Sequence, residues 1–545
     1  MTTSAPTAVF SSPLGVSPAD RWNRFFSIAI PCVVLLGILC RLALFLSRQS
    51  YWGDEAYLLL NLRHYSLWRI LTGRLDYVPS TQAAPPLFLL ILKGAMHSLG
   101  SSECAMRLLP FLSSALALLL FARLARHLLP PFAAFWPVAL LAFSDKLITQ
   151  SATLKQYSGD VLVAIILLLI AFPRQSTSPT RRLINTALAA SLTLWLSHTT
   201  AFVFTAISLA LFPQFVCRPT RNLPRYFLIH LPVVVSFFVL YFFSIRAQRD
   251  PFLVDYWSES FIDYAHPLQI PKFVLENTWE LFAYPARPVA GILLFPAVFG
   301  ILSLHRSGKH ELLVTLVAPI LLVFLAAAIH QYPFTAGRIT LFLVPFELLL
   351  SAHAIPTLGT TLCRVSVPSC LRASEFGSDS SASHPVLPPP FHLILWVLPA
   401  CVLTLMLVLL PSRTFFHDDC EHLRPAIEHL LAHRQPAEPI YILGEEESAV
   451  FRCYHSAPDS LTYFNLPLTT HPTADRFWLL FRADRLRKLT GDSPLTQPHL
   501  TLDESSSFHP RTGGLALHFL KSPPSATQPT TTLTPPSSFP LPSPH

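Results

Sequence analysis

Recurrent apolar runs, each close to the length of a membrane crossing, constrain this chain more than any other feature. A helix needs about 20 apolar residues to cross the hydrocarbon core of a bilayer. Such runs occur near 26–46, 104–124, 133–150, 158–173, 183–198, 200–216, 227–245, 286–304, 312–330, 338–356 and 390–411. They predict about eleven spans. Composition points the same way: 52% of the 545 residues are hydrophobic and 13% are charged, against about 25% charged in soluble domains. The net charge of +8 does not indicate nucleic acid, because the Lys and Arg residues cluster in short loops between the runs, as the positive-inside rule expects.

Those loops also set orientation. Arg21 and Arg24 precede the first run, and Arg123 and Arg126 follow the second. Arg174, Arg181 and Arg182 follow the fourth, Arg218, Arg221 and Arg225 the sixth, and His305, Arg306 and Lys309 the eighth. Arg364 and Arg372 follow the tenth. All fall on one side if the N-terminus is cytoplasmic, and an odd number of spans then places the C-terminus outside. The segment Pro85–Leu99 is short for a span and reads as interfacial or re-entrant within an extracytoplasmic loop, 47–103. A second outer stretch, 246–285, carries Tyr256, Trp257 and Trp279, suited to an interfacial belt.

The fold expected is an all-α polytopic membrane domain with a small extracytoplasmic α/β domain at its C-terminal end. Residues 1–25 form a cytoplasmic segment and 26–411 the membrane domain, with a flexible linker at 373–388. Residues 412–522 turn polar: AIEHLLAH has helical spacing, while PIYILG and RFWLLF read as short buried strands. The tail 523–545 is rich in Pro, Ser and Thr and reads as disordered. Seven of the nine Cys lie in or beside apolar runs; Cys420 and Cys453 can pair if their region is extracytoplasmic. No Cys/His spacing typical of a metal site appears.

Three polar clusters interrupt the apolar pattern on the outer side. Asp54 and Glu55 sit in QSYWGDEAYLLLNLRHY, directly after the first run, flanked by Tyr51, Trp52 and Tyr57. A carboxylate in a partly apolar cleft suits base chemistry; a solvated loop is the plain alternative. The turn SATLKQYSGD brings Lys155, Tyr157 and Asp160 to the membrane surface, where charged groups are functional or mutually paired; Lys155 snorkelling to lipid phosphate is the alternative. The turn HQYPFTAGRITLFLVP holds Tyr332 and Arg338. Arg338 starts a helix on the side where the positive-inside rule disfavours cations, and a guanidinium there can clamp a phosphate or anchor a head group. His198, inside LWLSHTTAFVF, is a weaker candidate that also fits helix packing. Arg107 reads as an interfacial anchor or a partner for Glu103, four residues earlier.

YWGDEAY, then APPLFLLILKGAMHSLGSSECAMRLLPFLSSALALLLFARLARHL, then LKQYSGDVLVAI and QYPFTAGRITLFLVP occur in this order. The order resembles the GT-C superfamily of membrane glycosyltransferases. Within it the sequence is most similar to the bacterial dolichyl-phosphate-mannose protein mannosyltransferase-like group, which includes lipid A aminoarabinose transferase and lipopolysaccharide galacturonosyltransferases. EHLRPAIEHLLAHRQPAEPIYILGEEESAVFRCYH resembles the extracytoplasmic tail domain of some members, so the likeness spans residues 47–520.

The resemblance implies transfer of a sugar from a polyprenyl phosphate to a lipid, polysaccharide or protein acceptor on the periplasmic face of a bacterial inner membrane. It implies Asp54 as general base, Glu55 as its positioning partner, and Arg338 and Lys155 as phosphate ligands. Tyr51, Trp52, Tyr57, Tyr157, Asp160, His198 and Tyr332 are expected around the pocket. No cofactor is indicated. Some distant members use a divalent cation, but Thr153 stands where many relatives carry an acid. Against this reading stand a transporter or flippase, a degenerate scaffold, and an O-antigen ligase or polymerase. No internal repeat supports the transporter, retention of Asp54, Lys155 and Arg338 opposes the scaffold, and no large late loop supports the ligase.

Overall fold

The computed structural model describes residues 18–77, 82–216, 219–287, 293–355, 389–414, 423–436, 438–455, 463–465, 476–482, 500–507 and 514–521. The first ten helices are α1 Pro18–Leu46, α2 Gly53–His64, α3 Leu67–Thr72, α4 Pro86–Leu99, α5 Glu103–Leu128, α6 Pro131–Phe143, α7 Asp145–Ser151, α8 Tyr157–Ala171, α9 Pro179–Thr193 and α10 Thr200–Leu211. Further helices at Pro219–Leu240, Leu294–Arg306, His310–Ala328, Val344–Ala352 and Pro389–Thr414 complete the apolar bundle. Every apolar run of the sequence therefore contains helix. Length does not make each one a crossing, however. Among the described residues, four helices are long and apolar enough to span a membrane, or five if the pair α6 and α7, bent by 53° at Ser144, counts as one. Five more apolar helices among the described residues are shorter, including α4, α8 and α10. The expected figure of about eleven spans is thus carried by these lengths only in part.

The bundle meets its few polar demands internally. Arg41, fully buried on α1, donates to the carbonyls of Gly37, Leu141 and Ala142 at 2.9, 2.9 and 2.7 Å and to Ser114 Oγ at 2.8 Å. One guanidinium thereby ties α1 to α5 and α6, with each of its three nitrogens hydrogen-bonded where water cannot reach them. Close crossings use glycine. A Cβ on Gly300 would lie 1.9 Å from the Leu350 carbonyl oxygen, so the Leu294–Arg306 and Val344–Ala352 helices can touch there only without a side chain.

Outside the bundle lies a five-stranded mixed sheet: β1 Ile440–Ile442, β2 Tyr463–Asn465, β3 Arg476–Arg482, β4 Leu500–Ser507 and β5 Gly514–Lys521, in the order β2-β1-β3-β5-β4. β1 pairs in parallel with β2 and β3, while β5 runs antiparallel to β3 and β4. β1 and the apolar centre of β3 are buried throughout. Helices Leu423–His433 and Glu445–Tyr454 pack on the sheet.

The described residues form two apolar cores. One fills the bundle. The other joins Leu59, Leu62, Phe88 and Leu92 of the loop after α1 to Ile427, Phe451, Trp478 and Leu480 of the sheet domain. The loop and the sheet domain thus share a single interior. Cys453 is buried there as a free thiol, its Sγ 3.7 Å from the Ala56 carbonyl; Cys420, with which it could pair in an extracytoplasmic domain, lies outside the described residues.

Candidate active site

A cavity of about 690 Å³ opens where α2, the α7–α8 turn, the α9–α10 break and the 330–338 turn meet. Asp54 is on its wall because α2 begins there: Gly53, Asp54 and Glu55 form the first helical turn after Trp52, where acids are favoured by the helix dipole. Successive helical residues point about 100° apart, at 3.6 residues per turn, so Asp54 and Glu55 cannot face the same way. Asp54 looks into the cavity with its side chain 20% exposed. Glu55 turns inward and is completely buried.

Two segments far apart in sequence bring positive charge to Asp54, and a third brings a neutral amide. An Arg338 guanidinium nitrogen donates to Asp54 Oδ2 at 2.6 Å, and Lys155 Nζ lies 3.9 Å from the same oxygen. Lys155 also donates to Gln82 Oε1, and the Gln82 side chain hydrogen-bonds the Asp54 carboxylate. The Trp52 ring lies under the Arg338 guanidinium, 4.9 Å from centroid to Cζ, fixing its plane. Burial pushes the Asp54 carboxyl up, but Lys155 and then Arg338 outweigh it and hold the group below the usual carboxylate range. Burial lowers Lys155 against the opposing pull of Asp54.

Beside this trio lies a hydroxyl-rich wall. The Ser197 hydroxyl donates to Asp160 Oδ1 at 2.6 Å and lies 2.9 Å from the Thr199 hydroxyl. Tyr332 donates to the Ile339 carbonyl at 2.6 Å. Trp52, Tyr57, Tyr157, Asp160, His198 and Tyr332 all line the cavity with Asp54, Lys155 and Arg338.

Two expected members are elsewhere. Glu55 accepts from Arg107 Nε at 2.9 Å and from the Leu154 N–H at 2.5 Å, and a second Arg107 nitrogen reaches its other oxygen at 2.5 Å. It ties α2 to α5 and to the turn before Lys155, so it positions the wall from behind. Tyr51 is 1% exposed and belongs to the core, packed against Tyr454. Arg107 is correspondingly neither a membrane anchor nor the partner of Glu103. Its side chain is buried on Glu55, while Glu103 pairs with Arg424 of the sheet domain at 2.7 Å. The helical i,i+4 rule lost to a tertiary pair that buries both charges together.

Other cavity residues were not expected at the site. Gln82 sits in the loop before α4, and Arg249 and Trp257 come from the 246–285 stretch read as an interfacial belt. Tyr241 and Ile245 bound a π-helical turn at the rim, a distortion common at functional sites. Glu445 and Glu446 reach the mouth from the sheet domain. A side chain at Gly53 would lie 3.0 Å from Glu446 Cγ, so the glycine admits that helix. The run GEEES was the available signal, but sequence alone gives no hint that it docks beside YWGDE. Among the described residues no group of three or more His, Cys, Asp or Glu gathers as metal ligands.

No family model and no curated protein matches this sequence. Solved structures do. ArnT from Cupriavidus metallidurans bound to undecaprenyl phosphate is 14% identical, with 91% of this chain and 98% of that chain covered and a TM-score of 0.45. The apo state of the same protein gives 15%, 92%, 98% and 0.47. The oligosaccharyltransferase of Archaeoglobus fulgidus tethered with an acceptor peptide is 11% identical, with 84% and 69% covered and a TM-score of 0.46.

Proposed function

We propose that this chain is a membrane glycosyltransferase that moves a sugar from a polyprenyl-phosphate donor to a hydroxyl of a lipid, polysaccharide or protein acceptor. The observation that carries the reading is the meeting of Asp54, Lys155 and Arg338 on one cavity wall, within 3.9 Å. The order of sequence blocks around these residues supports it. The reaction is assigned to the periplasmic face of a bacterial inner membrane, with the N-terminus cytoplasmic and the sheet domain outside.

The chemistry follows from the groups present. The acceptor oxygen attacks the anomeric carbon, the bond from that carbon to the phosphate oxygen breaks, and the electron pair leaves on the phosphate. That leaving group is already anionic, so it needs cations and not a general acid. Lys155 and Arg338 supply them. The acceptor proton passes to Asp54, which must come within about 3 Å of that oxygen. Asp160, Tyr157, Tyr332 and His198 are assigned to the sugar. No cofactor is assigned.

Transfer from a panel of polyprenyl-phosphate sugars to membrane-extract acceptors, with purified protein in nanodiscs, tests the reading. Arg338→Gln is expected to raise the KM for the donor and lower kcat, since it holds the phosphate in both ground and transition states. Unchanged donor kinetics in Arg338→Gln would remove it from the phosphate site. A folded wild type that transfers from no donor would overturn the assignment.

A further inference from the structure

The two cations proposed to hold the donor phosphate already hold the Asp54 carboxylate. Both converge on one oxygen, Asp54 Oδ2, with Arg338 at 2.6 Å and Lys155 at 3.9 Å. A donor phosphate seated on them must occupy the place of that carboxylate oxygen, and two anions at contact distance repel.

The fixtures around the trio decide which anion yields. Arg338 is held flat over Trp52, 4.9 Å from its centroid. Lys155 is 7% exposed on its side chain and tethered to Gln82. Asp54, by contrast, stands in the first turn of α2 at the cavity edge and can change rotamer into open space. Its other neighbours are the phenols of Tyr57 and Tyr157 and the Gln82 amide, with Glu446 beyond Gly53 paired to Arg482 at 3.3 Å. None of these neighbours is a cation, and Arg249 lines the same cavity without an ion pair to Asp54.

We infer that the donor's phosphate and the Asp54 carboxylate exchange places on Arg338 and Lys155, so that the base is masked in the empty site and released toward the acceptor only when donor is bound. This rests on the proposed function. Its consequence is an ordered site: donor first, then acceptor. The exchange breaks two ion pairs and forms two. The freed carboxylate then takes the acceptor proton as the new sugar–oxygen bond forms and the sugar–phosphate bond breaks. An empty site with a masked base also spares the enzyme unproductive proton transfers from bound acceptor alone.

The test is donor-site affinity, read with a polyprenyl phosphate methyl ester, whose single negative charge is constant across the accessible pH range. Asp54→Asn removes the competing anion and keeps its shape. It is expected to bind this probe about fivefold to tenfold tighter than wild type, about 1–1.4 kcal/mol, while transfer is lost. A measurement on wild type alone stands behind it. Once the probe has taken the cations, the displaced carboxylate loses the partners that hold its pKa down, so lowering the pH from about 7 to about 4 adds a proton to it in the bound state and wild-type affinity is expected to rise toward that of Asp54→Asn, whose own affinity changes less. Binding that is equal or weaker in Asp54→Asn, with a flat wild-type profile, would overturn the exchange while leaving Arg338 and Lys155 as phosphate ligands. Failure of the folded wild type to bind the probe at any pH would overturn both the exchange and the donor class beneath it.

Discussion

Between Lys155 and Arg338 the Asp54 carboxyl sits below the usual carboxylate range although burial pushes it up. The depressed value means that its stabilising contribution is present above the unfolded value, about 3.9, and fades as pH falls through the folded one. Kinetics carries the same sign. The acid limb of kcat/KM for the donor reports the free enzyme, and that of kcat the bound one. If phosphate takes over the cations, the limb of kcat is expected at higher pH than the limb of kcat/KM; coincident limbs in the two profiles would contradict this. At this scale much of the site was legible. Asp54, Lys155 and Arg338 each stood out as a charge beside an apolar run on the side where charge needs a reason. Tyr51 was misplaced, and Glu55 lies behind the cavity wall and not on it, because adjacency in sequence says nothing about which way each side chain turns.

Helices and turns are locked to one another by a few buried contacts. The Glu55–Arg107 pair joins α2, α5 and the Lys155 turn with both side chains 5% exposed or less. Arg107→Met leaves Glu55 buried without its partner and is expected to destabilise the protein by about 3–5 kcal/mol, seen as a lower melting temperature in detergent. Adding Glu55→Gln should recover part of that loss, and a melting temperature unchanged by Arg107→Met would show that the pair holds nothing. Gly300→Ala is expected to separate the Leu294–Arg306 and Val344–Ala352 helices, because its Cβ would lie 1.9 Å from backbone oxygen; folded yield and melting check it. Apolar periodicity located these helices. It could not give their crossing lengths, since α6 and α7 break at Ser144 within one apolar run. The Arg107 partner was missed because a local helical rule cannot see a carboxylate 52 residues away.

Across the whole molecule, the sheet domain and the loop after α1 pack as one body. Tyr454 accepts the Tyr51 N–H at 2.8 Å and donates to Glu103 at 2.8 Å, Arg424 meets Glu103 at 2.7 Å, and Arg63 donates to the Cys453 carbonyl at 2.8 Å. These contacts surround a shared apolar core. Deleting residues from 415 onward is expected to expose α2 and α4 to limited proteolysis and abolish activity, whereas a loop that stays protected would show the core to be dispensable. The strands at PIYILG and RFWLLF could be read from the sequence; their docking on YWGDE could not, because surface complementarity between distant segments leaves no periodic trace. The central claim is that Asp54, set against two cations, drives sugar transfer from a polyprenyl phosphate. Its most direct test is mass spectrometry of lipid products from purified protein. Wild type is expected to release one polyprenyl phosphate per sugar transferred, and Asp54→Asn to lose about 10²–10⁴-fold in rate. Equal release by Asp54→Asn, or a polyprenyl diphosphate as the product, would contradict the claim.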